Sequence, residues 1–438
     1  MRHVAYGAFW IGLYFVLAAS PLLVLLLGHA PPGRGFWREL SMGLGFAGLS
    51  MMGLQFFLTG RFKTITAPYG IDVVYHFHRL ISFIAFLFIF LHPLLLLWTS
   101  PATAALLDPL SAPWWITAGS GGLAAFAVVI ATSLFRLRLK LSYELWRAVH
   151  GTLAVAAVAL ALTHIAGVGY YVAEPIKRWL WTGMMLAWLL ALVWVRILAP
   201  ALMLRHPYTV TAVRPERGNS WTLDLRPDGH QGMSFQPGQF AWLTLDRSPF
   251  SIREHPFSFS SSAMHPELIS ITIKELGDFT STIGTVSPGT RAFLDGPYGT
   301  FSIDRHPAPG YVFIAGGVGI TPIMSTLRTM AQRGDRRPLL LFYGNRTRDE
   351  ITFREELEEL RHSLDLRVVH ILREPPDNWD GERGYLSTDI LARHLPAQRL
   401  AYEYFVCGPY PMQMAVKKSL GELGLPMEKV QSESFNFV

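Results

Sequence analysis

Residues 76–93 read HFHRLISFIAFLFIFLHP, and residues 146–164 read WRAVHGTLAVAAVALALTH. Both stretches are apolar runs that carry two histidines 14 positions apart, namely His78 and His92 in the first, and His150 and His164 in the second. Residues with this separation on an α-helix return to within about 40° of one face and lie about 21 Å apart along the axis. Each stretch therefore predicts a helix with one imidazole near each end of a single face.

Apolar runs of similar length recur along the first 205 residues. A bilayer requires about 20 such residues for each spanning helix. The runs cover residues 8–28, 41–59, 77–98, 114–135, 146–167 and 179–199. We therefore expect residues 1–205 to form a six-helix transmembrane domain. The first run is longer than the apolar core of a signal peptide and five more follow it, so we expect it to be a span.

Composition separates the chain into two unlike halves. Hydrophobic residues make up 50% of the 438 residues and charged residues 16%, which argues against a single soluble globule. Residues 1–205 carry 14 Lys/Arg and 5 Asp/Glu, whereas residues 206–438 carry 24 and 27. Because the basic excess belongs to the apolar half, it does not indicate nucleic-acid binding. The single cysteine, Cys407, excludes an intrachain disulfide and a cysteine-ligated iron–sulfur cluster.

The loop charges predict an orientation, because Lys and Arg concentrate on the cytoplasmic side of membrane proteins. With the amino terminus inside, ten basic residues lie on the inner side: Arg2, Arg61, Lys63, Arg79, Arg136, Arg138, Lys140, Arg147, Arg196 and Arg205. Four lie outside: Arg34, Arg38, Lys177 and Arg178. We therefore expect a multi-pass protein of the plasma or inner membrane, with both termini in the cytoplasm.

The equal histidine spacings predict cofactor sites. Two helices of the same direction can bring four imidazoles together as two pairs, and a pair facing across two helices is a bis-histidine axial site for a b-type haem. Small residues such as Gly151 and Ala154 leave room for a porphyrin. His76 is the alternative to His78 as a ligand, but it is turned about 160° from His92 and therefore lies on the wrong face of the helix. A single membrane histidine could equally bond a neighbouring helix, and zinc is disfavoured because no Cys or carboxylate joins at ligand spacing.

The second half changes to a soluble pattern. From Tyr208, short alternating strands separated by turns predict a small antiparallel barrel over residues 206–306. Residues 307–438 alternate strands and helices, which predicts a parallel α/β domain. Its first strand leads through a glycine-rich loop into a helix with Thr321 as the expected N-cap and Pro322 as the first helical residue. Such a loop and helix N-terminus suit a pyrophosphate.

These motifs, in this order, resemble the transmembrane NADPH oxidase and ferric reductase family, whose C-terminal half is similar to the ferredoxin–NADP reductase superfamily. The resemblance implies that four consecutive residues hold the flavin ring of FAD: His255, Pro256, Phe257 and Ser258. It implies an FAD pyrophosphate segment with Lys274, Gly277 and Thr280. An NADPH pyrophosphate loop is implied at Gly316, Gly317, Gly319, Thr321 and Pro322, and a nicotinamide site at Cys407, Gly408 and Pro409.

Two further residues follow from the same resemblance. Arg346 lies after the second strand of the nucleotide domain, where a 2′-phosphate would be read, which favours NADPH. Asp349 is close in sequence, and a carboxylate here would favour NADH by accepting hydrogen bonds from the ribose hydroxyls. NADH therefore stays possible. Phe435 resembles the terminal aromatic residue that stacks on the flavin, with Phe437 as its rival. Cys407 and Phe435 are thus the candidate catalytic residues.

The resemblance implies transmembrane electron transfer. Electrons would pass from cytosolic NADPH through FAD, an inner haem at His78 and His150 and an outer haem at His92 and His164. The acceptor outside would be O2, giving superoxide, or ferric iron. One alternative is a membrane-anchored cytosolic NAD(P)H:flavin reductase without haem. Another is a haem-binding sensor or transporter, which the complete flavin and nucleotide motifs disfavour.

Overall fold

The computed structural model describes residues 2–28, 31–63 and 69–433, with side chains from Gly7 onward. The described residues belong to two compact units. One falls within residues 1–68 and 73–199, and the other within residues 69–72 and 200–438.

The first unit is a bundle of apolar helices. Six helices among the described residues are long and apolar enough to cross a membrane, which confirms the predicted spans. They are α1 (Arg2–Leu25), α2 (Phe36–Leu58), α3 (Ile71–Thr99), α4 (Trp114–Leu134), α5 (Tyr143–Val168) and α6 (Pro175–Val193). A π-helical turn, Trp194–Leu198, leads from α6 into the short α7 (Ala199–Met203). The outer surface of the bundle is apolar, with Phe15, Leu87 and Leu189 more than half exposed.

Helix α2 is the most enclosed of these helices. More than half of its apolar window is buried, against 11–22% for the other spans. It carries three buried polar side chains, Ser41, Ser50 and Gln55. Because a polar group within a membrane helix is costly unless it is bonded to a partner, these residues point to specific contacts inside the bundle.

The second unit begins with an antiparallel sheet. Its strands are β1 (Tyr208–Glu216), β2 (Ser220–Pro227), β3 (Phe240–Leu245), β4 (His255–Ser258), β5 (Ile269–Lys274) and β6 (Arg291–Tyr298). They lie in the order β4-β3-β6-β1-β2-β5. A bridge between Phe259 and Ile271 joins the two edges, so the sheet curls on itself around a core that includes Val210, Leu223 and Leu243.

A parallel sheet follows. Its strands are β7 (Tyr311–Gly316), β8 (Leu339–Asn345), β9 (Leu366–Leu372), β10 (Glu382–Arg383), β11 (Glu403–Cys407) and β12 (Val430–Glu433), in the order β10-β9-β8-β7-β11-β12. The helices with it are α8 (Thr321–Gln332), α9 (Arg354–Leu360), α10 (Thr388–His394) and α11 (Tyr410–Glu422). The strand order reverses between β7 and β11. In such sheets ligands bind at the carboxyl ends of the strands beside the reversal.

One local prediction was wrong. Helix α8 begins at Thr321 rather than after it, because a 3₁₀ turn over Gly317–Ile320 runs directly into the helix. Ile320 therefore occupies the N-cap position and Pro322 is the second helical residue. The Thr321 hydroxyl donates to the carbonyl of Val318 at 2.8 Å instead of capping the helix.

Candidate functional site

The four membrane histidines lie as two pairs between α3 and α5. The ring centres of His78 and His150 are 6.4 Å apart with an angle of 66° between the ring planes. His92 and His164 have the same separation and the same angle. We name the first the inner pair and the second the outer pair, after the orientation that the loop charges predict. His76 is exposed and belongs to neither pair.

Each imidazole is anchored through Nδ1. His78 Nδ1 lies 2.7 Å from Oε1 of Gln55. His92 and His164 contact the main-chain oxygens of Ser41 and Trp115, both at 2.9 Å. Because amide and carbonyl oxygens only accept hydrogen bonds, Nδ1 donates in all three contacts.

The fourth imidazole is held in the same way. His150 Nδ1 lies 3.1 Å from the hydroxyl of Ser133, which itself donates to the carbonyl of Val129 at 2.7 Å. The hydroxyl proton is thus engaged, so Ser133 accepts from His150. All four rings therefore carry their proton on Nδ1 and a lone pair on Nε2. No hydrogen bond among the described residues reaches any of the four Nε2 atoms.

The separation within each pair suits one metal atom between two imidazoles. With a metal–nitrogen bond of about 2.0–2.1 Å on each side, and a ring centre about 1.1 Å behind each Nε2, the two centres lie about 6.2–6.4 Å apart. No group of three or more His, Cys, Asp or Glu side chains that could hold a metal exists among the described residues. Two protein ligands alone suit an iron whose remaining positions a porphyrin fills, and do not suit a structural zinc.

Glycines make space for the outer pair. A Cβ on Gly45 would lie 3.3 Å from the ring of His92, and one on Gly119 would lie 2.8 Å from Nδ1 of His164. A methyl group at residue 119 would therefore force the imidazole to move. Sequence patterns alone do not show which glycine of a membrane helix has this role.

A cleft lies at the amino-terminal end of α2 and the carboxyl end of α3. It is lined by Arg34, Gly35, Phe36, Trp37, Arg38, Thr99 and Ser100. The guanidinium of Arg34 stacks on Tyr170 at 3.9 Å and donates to the hydroxyl of Tyr171 at 3.0 Å. The Nε atoms of Arg34 and Arg38 are buried without a hydrogen-bond partner among the described residues.

The residues predicted to hold the flavin ring form the edge strand β4, and Phe279 lies after β5. His255 stacks on Phe279 with ring centres 4.1 Å apart, and Phe257 stacks on the same ring at 6.1 Å. Pro256 lies opposite Trp242 of the neighbouring strand β3, and Ser258 is buried. Phe279 escaped the sequence analysis, although it lies between the predicted positions 277 and 280.

The predicted FAD pyrophosphate groups already have partners within the protein. Lys274 Nζ lies 3.5 Å from Oε2 of Glu350. The main-chain N–H of Gly277 donates to the hydroxyl of Thr280 at 2.9 Å. A bound phosphate would therefore compete with a carboxylate for the lysine and with a hydroxyl for the amide.

The structure brings the glycine loop and the Cys407-Gly408-Pro409 turn together at the strand-order reversal. A Cβ on Gly319 would collide with the carbonyl of Cys407, and one on Gly408 would lie 3.0 Å from the main-chain nitrogen of Gly316. Gly317 adopts a φ of 53°, in the left-handed region. Glycine at these positions lets the backbones of two strand ends approach each other closely.

Cys407 and Glu433 lie side by side in this region. They are register partners in the parallel pair of β11 and β12, and both are buried. Burial raises the pKa of the Cys407 thiol and raises the pKa of the Glu433 carboxyl well above its usual value. Glu433 Oε2 has no hydrogen-bond partner among the described residues. The sequence analysis did not single out Glu433, and Phe435 and Phe437 lie outside the described residues.

Arg346 follows β8, and its Nε lies 2.9 Å from both carboxylate oxygens of Glu374, which follows β9. The carboxylate beside Arg346 is therefore Glu374 and not Asp349, which instead lies 3.9 Å from Arg217. Arg346 and Glu374 are both more than half exposed, so the pair is open to solvent.

Three family models match the chain. The "Ferric reductase like transmembrane component" matches residues 44–161, the "FAD-binding domain" residues 218–302, and the "Oxidoreductase NAD-binding domain" residues 313–418. The first covers the helices that carry His78, His92 and His150. The chain therefore combines a multi-pass membrane component with FAD-binding and NAD-binding domains, which places it among the oxidoreductases.

The curated relatives cover about half of the chain or less. The chain is 34% identical over 243 residues to the glycine betaine monooxygenase reductase subunit of Chromohalobacter salexigens, covering 53% of this chain and 64% of that protein. It is 31% identical over 170 residues to NADH-cytochrome b5 reductase 1 of Debaryomyces hansenii, covering 37% of this chain and 60% of that protein. The chain thus spans less than two thirds of the length of these relatives.

Among solved structures, flavohemoglobin from Malassezia yamatoensis has a TM-score of 0.50 and 17% identity, covering 90% of this chain and 98% of that one. At this identity the likeness concerns the fold alone. The three matching domains, in this order and behind six apolar helices, match the arrangement of the transmembrane NADPH oxidase and ferric reductase family, with a C-terminal ferredoxin–NADP reductase-like module.

Proposed function

We propose that this oxidoreductase moves electrons across a membrane, from cytosolic NADPH through FAD and two b-type haems to an acceptor outside, either O2 or ferric iron. The observation that carries the proposal is the arrangement of the four imidazoles. Two pairs with 6.4 Å between ring centres, each ring held through Nδ1, match what bis-histidine ligation requires. When bound, FAD and haem supply the conversion of a hydride into single electrons and their passage through the hydrocarbon.

The proposal assigns roles to the membrane half. His78 and His150 hold the inner iron through Nε2, and His92 and His164 hold the outer iron. Gln55, Ser133 and two main-chain carbonyls fix the ring orientation. Both termini lie in the cytoplasm, and the transmembrane domain covers residues 1–205. The cleft beside Arg34 and Arg38 then opens on the outside, where its positive charge would attract an anionic ferric chelate such as ferric citrate.

The proposal also assigns roles to the second half. Residues 206–306 bind FAD, with His255, Pro256, Phe257 and Ser258 along the flavin and Lys274, Gly277 and Thr280 at its pyrophosphate. Residues 307–438 bind NADPH. Gly316, Gly317 and Gly319 permit close approach of the backbone, and the N-terminus of α8 at Thr321 and Pro322 favours the pyrophosphate charge.

Cys407, Gly408 and Pro409 line the nicotinamide position at the strand-order reversal. The raised pKa keeps the Cys407 thiol protonated, so that it would place no negative charge near the nicotinamide. Arg346 would hold the 2′-phosphate, and Phe435 would stack on the flavin in the absence of nicotinamide.

An anaerobic titration of the purified full-length protein tests the proposal. Addition of NADPH should reduce bound flavin and then two low-spin b haems, seen in the absorption spectrum. His92→Leu should remove one haem and leave flavin reduction intact, whereas His76→Leu, an exposed histidine on the same helix, should keep both. Absence of haem from the wild-type protein would refute the proposal. O2 or ferric citrate added to the reduced protein then identifies the acceptor.

A further inference from the structure

The two imidazole pairs are anchored by different kinds of group. In the inner pair, both acceptors are side chains: the amide oxygen of Gln55 and the hydroxyl of Ser133. In the outer pair, each Nδ1 has a main-chain carbonyl as its acceptor, from Ser41 and from Trp115. A substitution can remove a side-chain acceptor, whereas a main-chain carbonyl stays whatever the residue.

The orientation of the Gln55 amide is fixed. Its Nε2 donates to the main-chain oxygen of Met51 at 2.9 Å, one turn earlier on α2, and the side chain is 7% exposed. Because the amide nitrogen is committed to Met51, the oxygen is the atom that faces His78. The 2.7 Å contact is also the shortest of the four Nδ1 anchors.

We propose that Gln55 is a positioning residue that sets the reduction potential of the inner haem through His78. This inference rests on the proposed bis-histidine ligation. An acceptor on Nδ1–H increases the electron density of the imidazole and its strength as a ligand. A stronger donor stabilises ferric iron more than ferrous iron, so Gln55 lowers the inner potential and orients the ring.

Ser41 provides a matched contrast on the same helix. Its hydroxyl donates to the main-chain oxygen of His92 at 2.8 Å and lies 3.0 Å from His92 Nδ1. Loss of this hydroxyl still leaves the carbonyl of Ser41 at 2.9 Å from Nδ1. The anchor of His92 therefore survives Ser41→Ala, whereas the anchor of His78 does not survive loss of the Gln55 amide.

The test is a potentiometric titration of the full-length protein, which resolves the two haem reduction steps. Gln55→Met keeps a side chain of similar length without a strong acceptor and should raise the potential of one step. A tenfold change in the ratio of the site's affinities for ferric and ferrous haem corresponds to a shift of about 59 mV in the one-electron potential. Ser41→Ala should shift neither step. Gln55→Glu keeps an acceptor oxygen and should leave the same step at or below its wild-type potential.

The outcomes separate the inference from the function on which it rests. Two haems with unchanged potentials in Gln55→Met would overturn the role of Gln55 and leave the proposed function intact. A wild-type protein without haem would overturn the proposed function itself. If Gln55→Met loses the inner haem, restoration in Gln55→Glu supports the acceptor role, and loss in both variants contradicts it.

Discussion

The imidazole of His164 occupies the space that a side chain on Gly119 would need, since a Cβ there would come within 2.8 Å of Nδ1. Gly119 on α4 thus makes room for the outer pair because it has no side chain. We expect Gly119→Ala to displace His164, lengthen its contact with the carbonyl of Trp115 and lower the content of the outer haem several-fold. Haem per chain, measured from the pyridine haemochrome spectrum, checks this.

Gly121 on the same helix is the control for that substitution. A Cβ there meets only Leu160 Cδ1, at an ordinary 3.5 Å, so Gly121→Ala should retain both haems. Equal haem content in the two variants would contradict the steric role of Gly119.

Glu433 should make the stability of the reductase half depend on pH. Burial raises its pKa in the folded state, so the folded protein holds more protons than the unfolded protein above the ordinary carboxyl pKa. The contribution of this one group to the free energy of unfolding is therefore highest at low pH and decreases as pH rises, by at most ~1.4 kcal/mol per pH unit. Glu433→Gln should remove that fall. Thermal unfolding followed by flavin fluorescence from pH 5 to pH 8 measures it, and an unchanged pH slope in the variant would refute it.

Lys274 and Glu350 should act on FAD in opposite directions. Lys274→Met removes a cation from the proposed pyrophosphate site, and charge-assisted hydrogen bonds of this kind contribute about 1.5–3 kcal/mol, or roughly 10- to 150-fold in affinity. Glu350→Gln removes the carboxylate 3.5 Å from Nζ and should tighten FAD binding. Flavin fluorescence titration of the apoprotein gives both constants. Weaker FAD binding in Glu350→Gln would show that the ion pair orients the lysine rather than competing for it.

Arg346 and Glu374 should set the choice of nicotinamide nucleotide. Arg346→Ala should raise KM for NADPH roughly tenfold or more and leave KM for NADH nearly unchanged, because only NADPH carries the 2′-phosphate. Glu374→Gln releases the guanidinium from its carboxylate partner and should lower KM for NADPH. Steady-state reduction of a soluble acceptor measures both. Equal effects on the two nucleotides would contradict the assignment of Arg346.

Periodicity was sufficient to predict the large features. Apolar runs predicted the six spans, alternating strands predicted the antiparallel sheet, and strand–helix alternation predicted the parallel sheet. These patterns arise because the buried face of a helix or strand requires apolar residues, and the sequence repeats them at the period of that element. The pairing of His78 with His150 follows from the same geometry, because equal spacings on two helices can be brought into register.

Contacts between distant segments could not be read in this way. Gln55 lies 23 residues from His78, and the sequence around Gln55 does not indicate that His78 is its hydrogen-bond partner. The carboxylate partner of Arg346 is Glu374, 28 residues away in sequence, because β8 and β9 end together at the sheet edge. The start of α8 was misjudged by one position because a 3₁₀ turn precedes it, and turn type depends on backbone angles that Gly317 permits but does not dictate.

The buried helix α2 has a consequence for how this protein can change. Ser41 and Gln55, which support the outer and inner pairs, are 14 residues apart, the same interval that separates His78 from His92 and His150 from His164. The same 14-residue interval thus occurs on α2, α3 and α5. Insertion of a single residue within that interval on any of these helices would rotate one of its two positions by about 100° away from the imidazole pair that it serves. The distance between the two imidazole pairs can thus change only by concerted changes in these three helices and in α4, where Trp115 and Ser133 anchor His164 and His150.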